Sequence, residues 1–196
     1  MPRIVDVDLR RAELTDATAR VIARSGMEAA TMREIAAEAG WTTGALTHYF
    51  ADKRELLLAT FQSSLAARRS RRDELQDAPT IDRLRASLNG ALPIDDDRRR
   101  HWLVTLAACS HASGSRPLAD AQRDAYREFR EYVIRLIEEV GLATGTDAQH
   151  IAEQLIAMAD GIAIQAMFDP DSWSAERQQG ALDAQLDTML DSIAVH

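Results

Sequence analysis

An all-α fold of about nine helices is predicted by three observations. Apolar residues recur at spacings of three and four along the whole chain, the period of a helix with one buried face. Threonine or aspartate stands three positions before glutamate at 31/34 and at 52/55, the spacing of a capping pair. Glycine or proline follows nearly every periodic segment, as at helix ends, and no strand signal recurs.

The elements follow in order. Leu14, Ala17, Val21 and Ile22 form one stripe of a first helix over roughly 8–25, which stops at Gly26. The Thr31 hydroxyl and the Glu34 carboxylate can cap each other's backbone N–H and open a short second helix, with Met32, Ile35, Ala36 and Ala39 inward and Gly40 at its end. Thr42 caps a third helix reaching about Tyr49. Asp52 with Glu55 opens a long fourth helix, its stripe Leu57, Phe61 and Leu65, which runs to the break at residues 77–79. Further helices are expected over 80–90, 96–113, 117–140 (Pro117 in its first turn), 147–168 and 174–194. No repeat or low-complexity tract interrupts them.

The chain has 196 residues, a net charge of −8 and 46% hydrophobic composition, which suits a compact unit and excludes dominant disorder. With Cys109 as the only cysteine no internal disulfide forms, and the start lacks the apolar core of a secretion signal, so a reducing cytoplasm is expected. No unbroken apolar stretch of about 18 residues is seen, so a membrane span is not expected. Charge is unevenly placed: residues 1–72 hold 12 Lys and Arg against 9 Asp and Glu, whereas the remainder is strongly acidic. A locally basic head can therefore dock on phosphates although the whole protein is acidic. Lys53 is the only lysine.

Residues 31–56 carry the functional signal. Two short helices joined by a glycine-containing turn, supported by a longer preceding helix, make the helix-turn-helix arrangement that sets its second helix in a DNA major groove. With Leu46 inward, the helical step packs Tyr49 and Phe50 beside it and turns Gly44, Thr47 and His48 outward. A bare glycine inside a helix costs roughly 1 kcal/mol relative to alanine, which suits a position where backbone approaches a partner closely. Thr43 and Thr47 can reach base edges, His48 and Tyr49 can reach phosphates, and Lys53 adds its charge to the free N–H groups at a helix start.

The segment 31–56 resembles the DNA-binding domain of the TetR family of bacterial regulators. The resemblance runs from about Arg11 to Leu56 and includes Gly26, Thr31, Ile35, Ala36, Gly40, Gly44, Leu46, Tyr49, Phe50, Lys53 and the adjoining Leu57 at the family's spacings. It implies phosphate contacts from Thr31 and Thr42, a phosphate or base contact from Arg33, base contacts from Thr43, Gly44 and Thr47, and a backbone clamp of His48, Tyr49 and Lys53. Trp41 departs from the small aliphatic residue usual before the recognition helix. Residues 57–196 match in helix count, with a faint similarity at Asp160-Gly161 and at Phe168-Asp169-Pro170 to the subgroup that includes choline-responsive repressors. The resemblance divides the chain into a head, 1–51, and an effector-binding and dimerisation domain, 52–196.

On their own spacing, Leu155, Met158, Ile162 and Met167, followed by Leu182, Leu186, Met189 and Ile193, offer two apolar stripes that can form a four-helix bundle with a symmetry mate. For the effector, Trp102, Leu106 and Ser110 on one helix and Tyr126, Phe129 and Arg130 on the next are the candidates, and an apolar, aromatic lining favours a small hydrophobic or amphipathic molecule. Asp160 is either a buried partner for an arginine or an interface residue. The run Arg68, Arg69, Arg71, Arg72 is read as a solvated face or a contact within the dimer. His101, Cys109 and His111 project in different directions from one helix, so no metal and no cofactor are expected. The expectation is a homodimeric repressor released from operator DNA by a small molecule, with an activator or a ligand-independent regulator as alternatives. A small helical enzyme is the remote one.

Overall fold

A computed structural model describes residues 7–194, with side chains as far as Asp191. Among these residues the elements are α1 (Val7–Ala29), α2 (Met32–Glu38), α3 (Thr43–Tyr49), α4 (Lys53–Asp73), α5 (Thr80–Asn89), α6 (Asp96–Ala112), α7 (Arg116–Val140), α8 (Gly145–Phe168) and α9 (Ala175–Ala194), with no strand. The all-helical expectation is borne out. One joint differs from the expected helix end. Gly26 has φ 75° and ψ 166°, so regular α1 ends there, but a further turn to Ala29 follows the kink. The Ala30 N–H closes that turn on the Gly26 carbonyl at 3.3 Å.

The chain forms two compact units. One holds everything described before Arg68 together with Arg100–Gln122, and the other holds Arg68–Arg99 and everything described from Arg123 onward. The break thus falls within α4, later than the functional boundary expected at 51/52.

In the first unit α1 packs on α2 and α2 on α3. Its core joins Leu14 and Val21 of α1, Ile35 of α2, Leu46 of α3, Phe50 of the following turn, and Leu56, Leu57 and Phe61 of α4, all at most 1% exposed. Burying each such side chain favours the fold by about 1.5–3 kcal/mol, which is why two seven-residue helices too short to persist alone are held in place. In the second unit α5 packs against α8 and α9. Leu84, Leu88, Leu155, Leu182 and Leu186 are buried there. Arg85 reaches Asp183 at 3.0 Å and Asp187 at 2.6 Å, and the Asn89 amide donates to Asp183 at 3.0 Å, tying α5 to α9 at their edge.

Helix α8 bears on the membrane-span expectation. It is long and apolar enough on average to cross a membrane, with a mean hydropathy of 1.3 over its best window. The reason is an alanine-rich composition in which Glu153 and Asp160 are the only charged residues after the first turn. Its apolar residues are used internally: Ala152, Leu155, Ala159, Ile162, Ala163 and Ala166 are buried within the unit.

Candidate nucleic-acid interface

The reading head is built by its caps. The Thr31 hydroxyl accepts from the Glu34 N–H at 3.1 Å, and the Glu34 carboxylate accepts from the Thr31 N–H at 3.1 Å, which completes the predicted capping box at the start of α2. The Thr42 hydroxyl accepts from the Ala45 N–H at 3.2 Å and starts α3. At α4, Asp52 accepts from the N–H groups of Arg54 and Glu55 at 2.8 Å each, while the Glu55 carboxylate reaches the Ala51 N–H at 2.8 Å, one residue before the expected partner.

These caps set the direction of α3. Leu46 is fully buried, whereas Thr43, Gly44, Thr47 and His48 are exposed along one side. An added Cβ at Gly44 would meet nothing within 4 Å, so this face is open as well as polar. The Thr47 hydroxyl donates to the Gly44 carbonyl at 3.0 Å, which leaves its lone pairs and its methyl facing outward. Thr31, Arg33 and Thr42 are also exposed. Arg33 has no ion-pair partner among the described residues.

Tyr49 is only half exposed, and three neighbours fix it. Its ring meets Trp41 edge-on at 5.4 Å and His48 at 5.3 Å, and its carbonyl accepts from Arg11 Nη1 at 2.5 Å. Trp41 is used structurally: Arg10 lies 5.3 Å from its ring centre. Arg11 covers Phe50 at 4.1 Å and pairs with Glu55 at 3.5 Å. Arg10 and Arg11 were not expected to shape the head. Their contacts cross some 38 residues of sequence, and no local pattern announces them.

Lys53 is half-buried and its ammonium donates to the Met27 carbonyl at 2.5 Å. The positive charge at the start of α4 therefore has an internal partner in addition to any phosphate. Arg20 and Arg24 of α1 both bind Glu38 at the end of α2, at 2.8 and 2.9 Å. Arg20 first, then Arg24, hold the Glu38 carboxyl below its ordinary value. The expected basic head thus spends several arginines on its own carboxylates, while Arg33, Arg54 and Lys53 remain near the exposed side.

The model described as "Bacterial regulatory proteins, tetR family" matches residues 14–60, and the model described as "BetI-type transcriptional repressor, C-terminal" matches residues 80–191. The chain belongs to the TetR family. This TetR-family protein is a DNA-binding transcriptional regulator of the helix-turn-helix type. It is 34% identical over 176 residues to the HTH-type transcriptional regulator PksA of Bacillus subtilis, covering 87% of this chain and 84% of that protein. It is 28% identical over 194 residues to the HTH-type transcriptional regulator BetI of Vibrio atlanticus, covering 97% and 96%. Among solved structures, a transcriptional regulator from Rhodococcus sp. superposes with a TM-score of 0.83 at 29% identity, covering 93% of this chain and 96% of that one. One from Saccharomonospora viridis in complex with choline superposes at 0.82 with 24% identity, covering 92% and 96%, a likeness of fold.

The TetR regulator's remaining candidate residues are placed as follows. In the first unit Trp102 is buried, Leu106 half-buried, and Ser110 exposed with its hydroxyl on the Ala107 carbonyl at 2.8 Å. In the second unit Phe129 is buried, Arg130 half-buried, and the exposed Tyr126 donates its hydroxyl to Asp160 at 2.6 Å. Asp160 thus has a tyrosine partner, with the Arg68 charge nearby; burial raises its carboxyl above the ordinary value against the Tyr126 bond and that charge. The arginine run is not a solvated face. Arg69 and Arg72 grip Glu128 at 2.6 and 3.1 Å, and Arg68 and Arg72 lie 5.5 and 5.3 Å from the centre of the Phe129 ring.

Of the residues expected at a dimer interface, Leu155, Ile162, Leu182 and Leu186 are already buried within the single chain, and Met158 and Met189 are half-buried. The side chain of Ile193 lies outside the described residues. What α8 leaves exposed is a different stripe, Gln154, Ala157, Gly161, Gln165 and Phe168; on α9 it is Gly180, Ala184, Asp187 and Thr188. A stripe read from hydrophobicity alone does not separate the face packed inside the chain from the face offered outside. Both helices needed the large residues inward.

Proposed function

We propose that this chain is a cytoplasmic homodimeric repressor, without enzymatic activity, whose heads grip operator DNA and release it when a small molecule binds residues 52–196. The observation that carries the DNA reading is the outer side of α3, where Thr43, Gly44, Thr47 and His48 stand exposed opposite the buried Leu46. On this reading Thr43, Gly44 and Thr47 face bases, Thr31, Thr42, His48, Tyr49 and Lys53 hold the phosphate backbone, and Arg33 contacts either. Two heads related by a dyad read half-sites about 34–36 Å apart, or a multiple of that. Dimer contact through the exposed small residues of α8 and α9, rather than through their buried leucines, is supported by the 79% exposure of Phe168 beside them.

For the effector, Trp102, Leu106 and Ser110 in the first unit and Tyr126, Phe129 and Arg130 in the second stand as candidate contacts, each within its own unit, for a hydrophobic or amphipathic molecule. Ligand binding shifts the population of α4, which carries Lys53 in its first turn, and so changes the spacing of the heads. The choline bound by the Saccharomonospora viridis regulator raises a quaternary ammonium as a second effector class. Here the aromatic faces such a cation needs already carry the chain's own guanidinium groups, Arg68 and Arg72 on Phe129 and Arg72 on Tyr132 at 5.3 Å. The test is selection of bound sequences from random duplex DNA by the full chain, followed by release assays with candidate metabolites. A bound motif with two half-sites supports the reading. Sequence-independent binding overturns it.

A further inference from the structure

We infer that the second compact unit holds an oxyanion site between the end of α4, α5 and the start of α6, formed by Arg68, Arg71, Arg72 and Arg98. These four arginines line one cavity together with Leu75, Ala86, Ser87 and Gly90. Its volume, about 50 Å3, accommodates roughly four water positions, the size of a phosphate, sulfate or carboxylate group and far below that of a drug-sized ligand.

Two of the four arginines keep donor groups unused among the described residues. Glu128 serves Arg72, but it is shared with Arg69. Asp95 takes Arg98 through Nη1, while Arg98 Nε is buried with no hydrogen-bond partner in the structure. Arg71 has no ion-pair partner among the described residues. Arg68 is pushed down to about 10, first by burial and then by the charge of Arg72, with Asp160 and Tyr126 partly offsetting them and Arg71 adding a smaller push. Like charges gathered in a partly desolvated pocket repel, and planar guanidinium forks match the geometry of an oxyanion. An anion in this cavity receives the Arg98 Nε–H and the Arg71 guanidinium, and relieves the repulsion at Arg68. The Ser87 hydroxyl donates to the Tyr132 hydroxyl at 3.5 Å, and rotation of that one O–H would turn it to an anion on the α5 side. The cavity lining does not include Tyr126, Phe129 or Arg130, although Arg68 and Arg72 also lie on the Phe129 ring, so the site adjoins the proposed effector contacts of this unit.

The experiment is titration of the full-length chain with inorganic phosphate at ionic strength held constant with chloride, read by calorimetry and by melting temperature. Acetate and choline serve as separate arms. Saturable binding of phosphate, one per chain, is expected. Acetate is expected to compete more weakly, and choline to have no effect. Arg71→Gln and Arg98→Gln should each weaken phosphate at least tenfold while operator binding persists, since neither residue belongs to the reading head. Arg71→Lys, which keeps the charge and loses the fork, should fall between. Phosphate line broadening in 31P spectra of the unaltered chain gives a readout that needs no variant to fold. Absence of saturable binding above chloride overturns the site, as does phosphate affinity unchanged from the unaltered chain in both glutamine variants, or a response to choline with none to anions. None of these outcomes affects operator selection, so the two readings fail separately.

Discussion

The ammonium of Lys53 sits 2.5 Å from the carbonyl of Met27, so the only lysine in the chain ties the start of α4 to the turn that follows the Gly26 kink. The carbonyl is available because the Thr31 N–H, the donor four residues on, goes to the Glu34 carboxylate instead. One charge therefore has two uses: it orders the joint between α1 and α4, and it stands where an operator phosphate would arrive.

Lys53→Ala is expected to cost about 1 kcal/mol of stability, a hydrogen bond to a charged group discounted for partial exposure. It should also weaken binding to all operator variants alike and reduce the salt slope of binding by about one. Melting curves and binding titrations across salt concentration separate the two effects. A loss of stability with an unchanged salt slope would show that Lys53 is an internal tie alone.

Gly44→Ala should move stability and operator affinity in opposite directions. Gly44 has ordinary helical geometry and open space for a Cβ, so alanine stabilises the free head by roughly 0.5–1 kcal/mol. The same methyl stands between backbone and DNA and should cut affinity. Thr47→Ala should leave stability nearly unchanged and alter base preference, at a cost of roughly 1–3 kcal/mol for the preferred operator. If alanine at 44 leaves operator binding intact, α3 does not approach DNA by this face.

Acid should loosen the inter-helix ties. Glu38 is held below its ordinary value by Arg20 and Arg24, and Glu128 by Arg69 and then Arg72. A depressed carboxylate contributes stability that is present above its unfolded value, 4.5, and lost as pH falls through its folded value. The difference in melting temperature between the unaltered chain and Glu128→Gln should therefore be positive at pH 7 and close below about pH 4.5. A gap that persists to pH 3 would contradict the pairing. Asp160, raised by burial, runs the other way: its contribution is full at low pH and fades as pH rises through its folded value.

Ala157→Arg combined with Ala184→Arg should yield folded monomers by sedimentation and abolish operator binding with the reading head untouched. Both positions are exposed in the single chain, so the charges enter a contact only if a partner covers them. Leu186→Asp is the contrasting case: at 1% exposure it places a charge in the chain's own core and should unfold it. A dimer that survives both arginines would move the interface elsewhere.

The helices and the head were legible in the sequence because their determinants are local. Thr31 and Glu34 are three residues apart, Leu46 sets the direction of Gly44 and Thr47 within a single turn, and Gly26 is itself the signal for a positive φ. What remained hidden depends on residues far apart in sequence. Nothing near Tyr49 points to Arg11, nothing near Lys53 points to Met27, and the run from Arg68 to Arg72 reads as a wet surface until Glu128, Phe129 and Asp160 are brought to it by the fold. The stripes of α8 and α9 were seen but their destination was not, because a core and an interface are built from the same side chains.

The kink at Gly26 is held by torsion and not by crowding: φ is 75°, yet a Cβ there would meet nothing within 4 Å. Handedness, more than size, is thus what position 26 selects. A mirror-image alanine, placed there by chemical synthesis, has the inverted torsional preference and the room it needs, and by narrowing the unfolded chain's options it should stiffen the hinge. Its ordinary enantiomer would pull the backbone back into line and draw the Met27 carbonyl away from Lys53. The pair would convert a single stereocentre into a switch for the joint between α1 and α4.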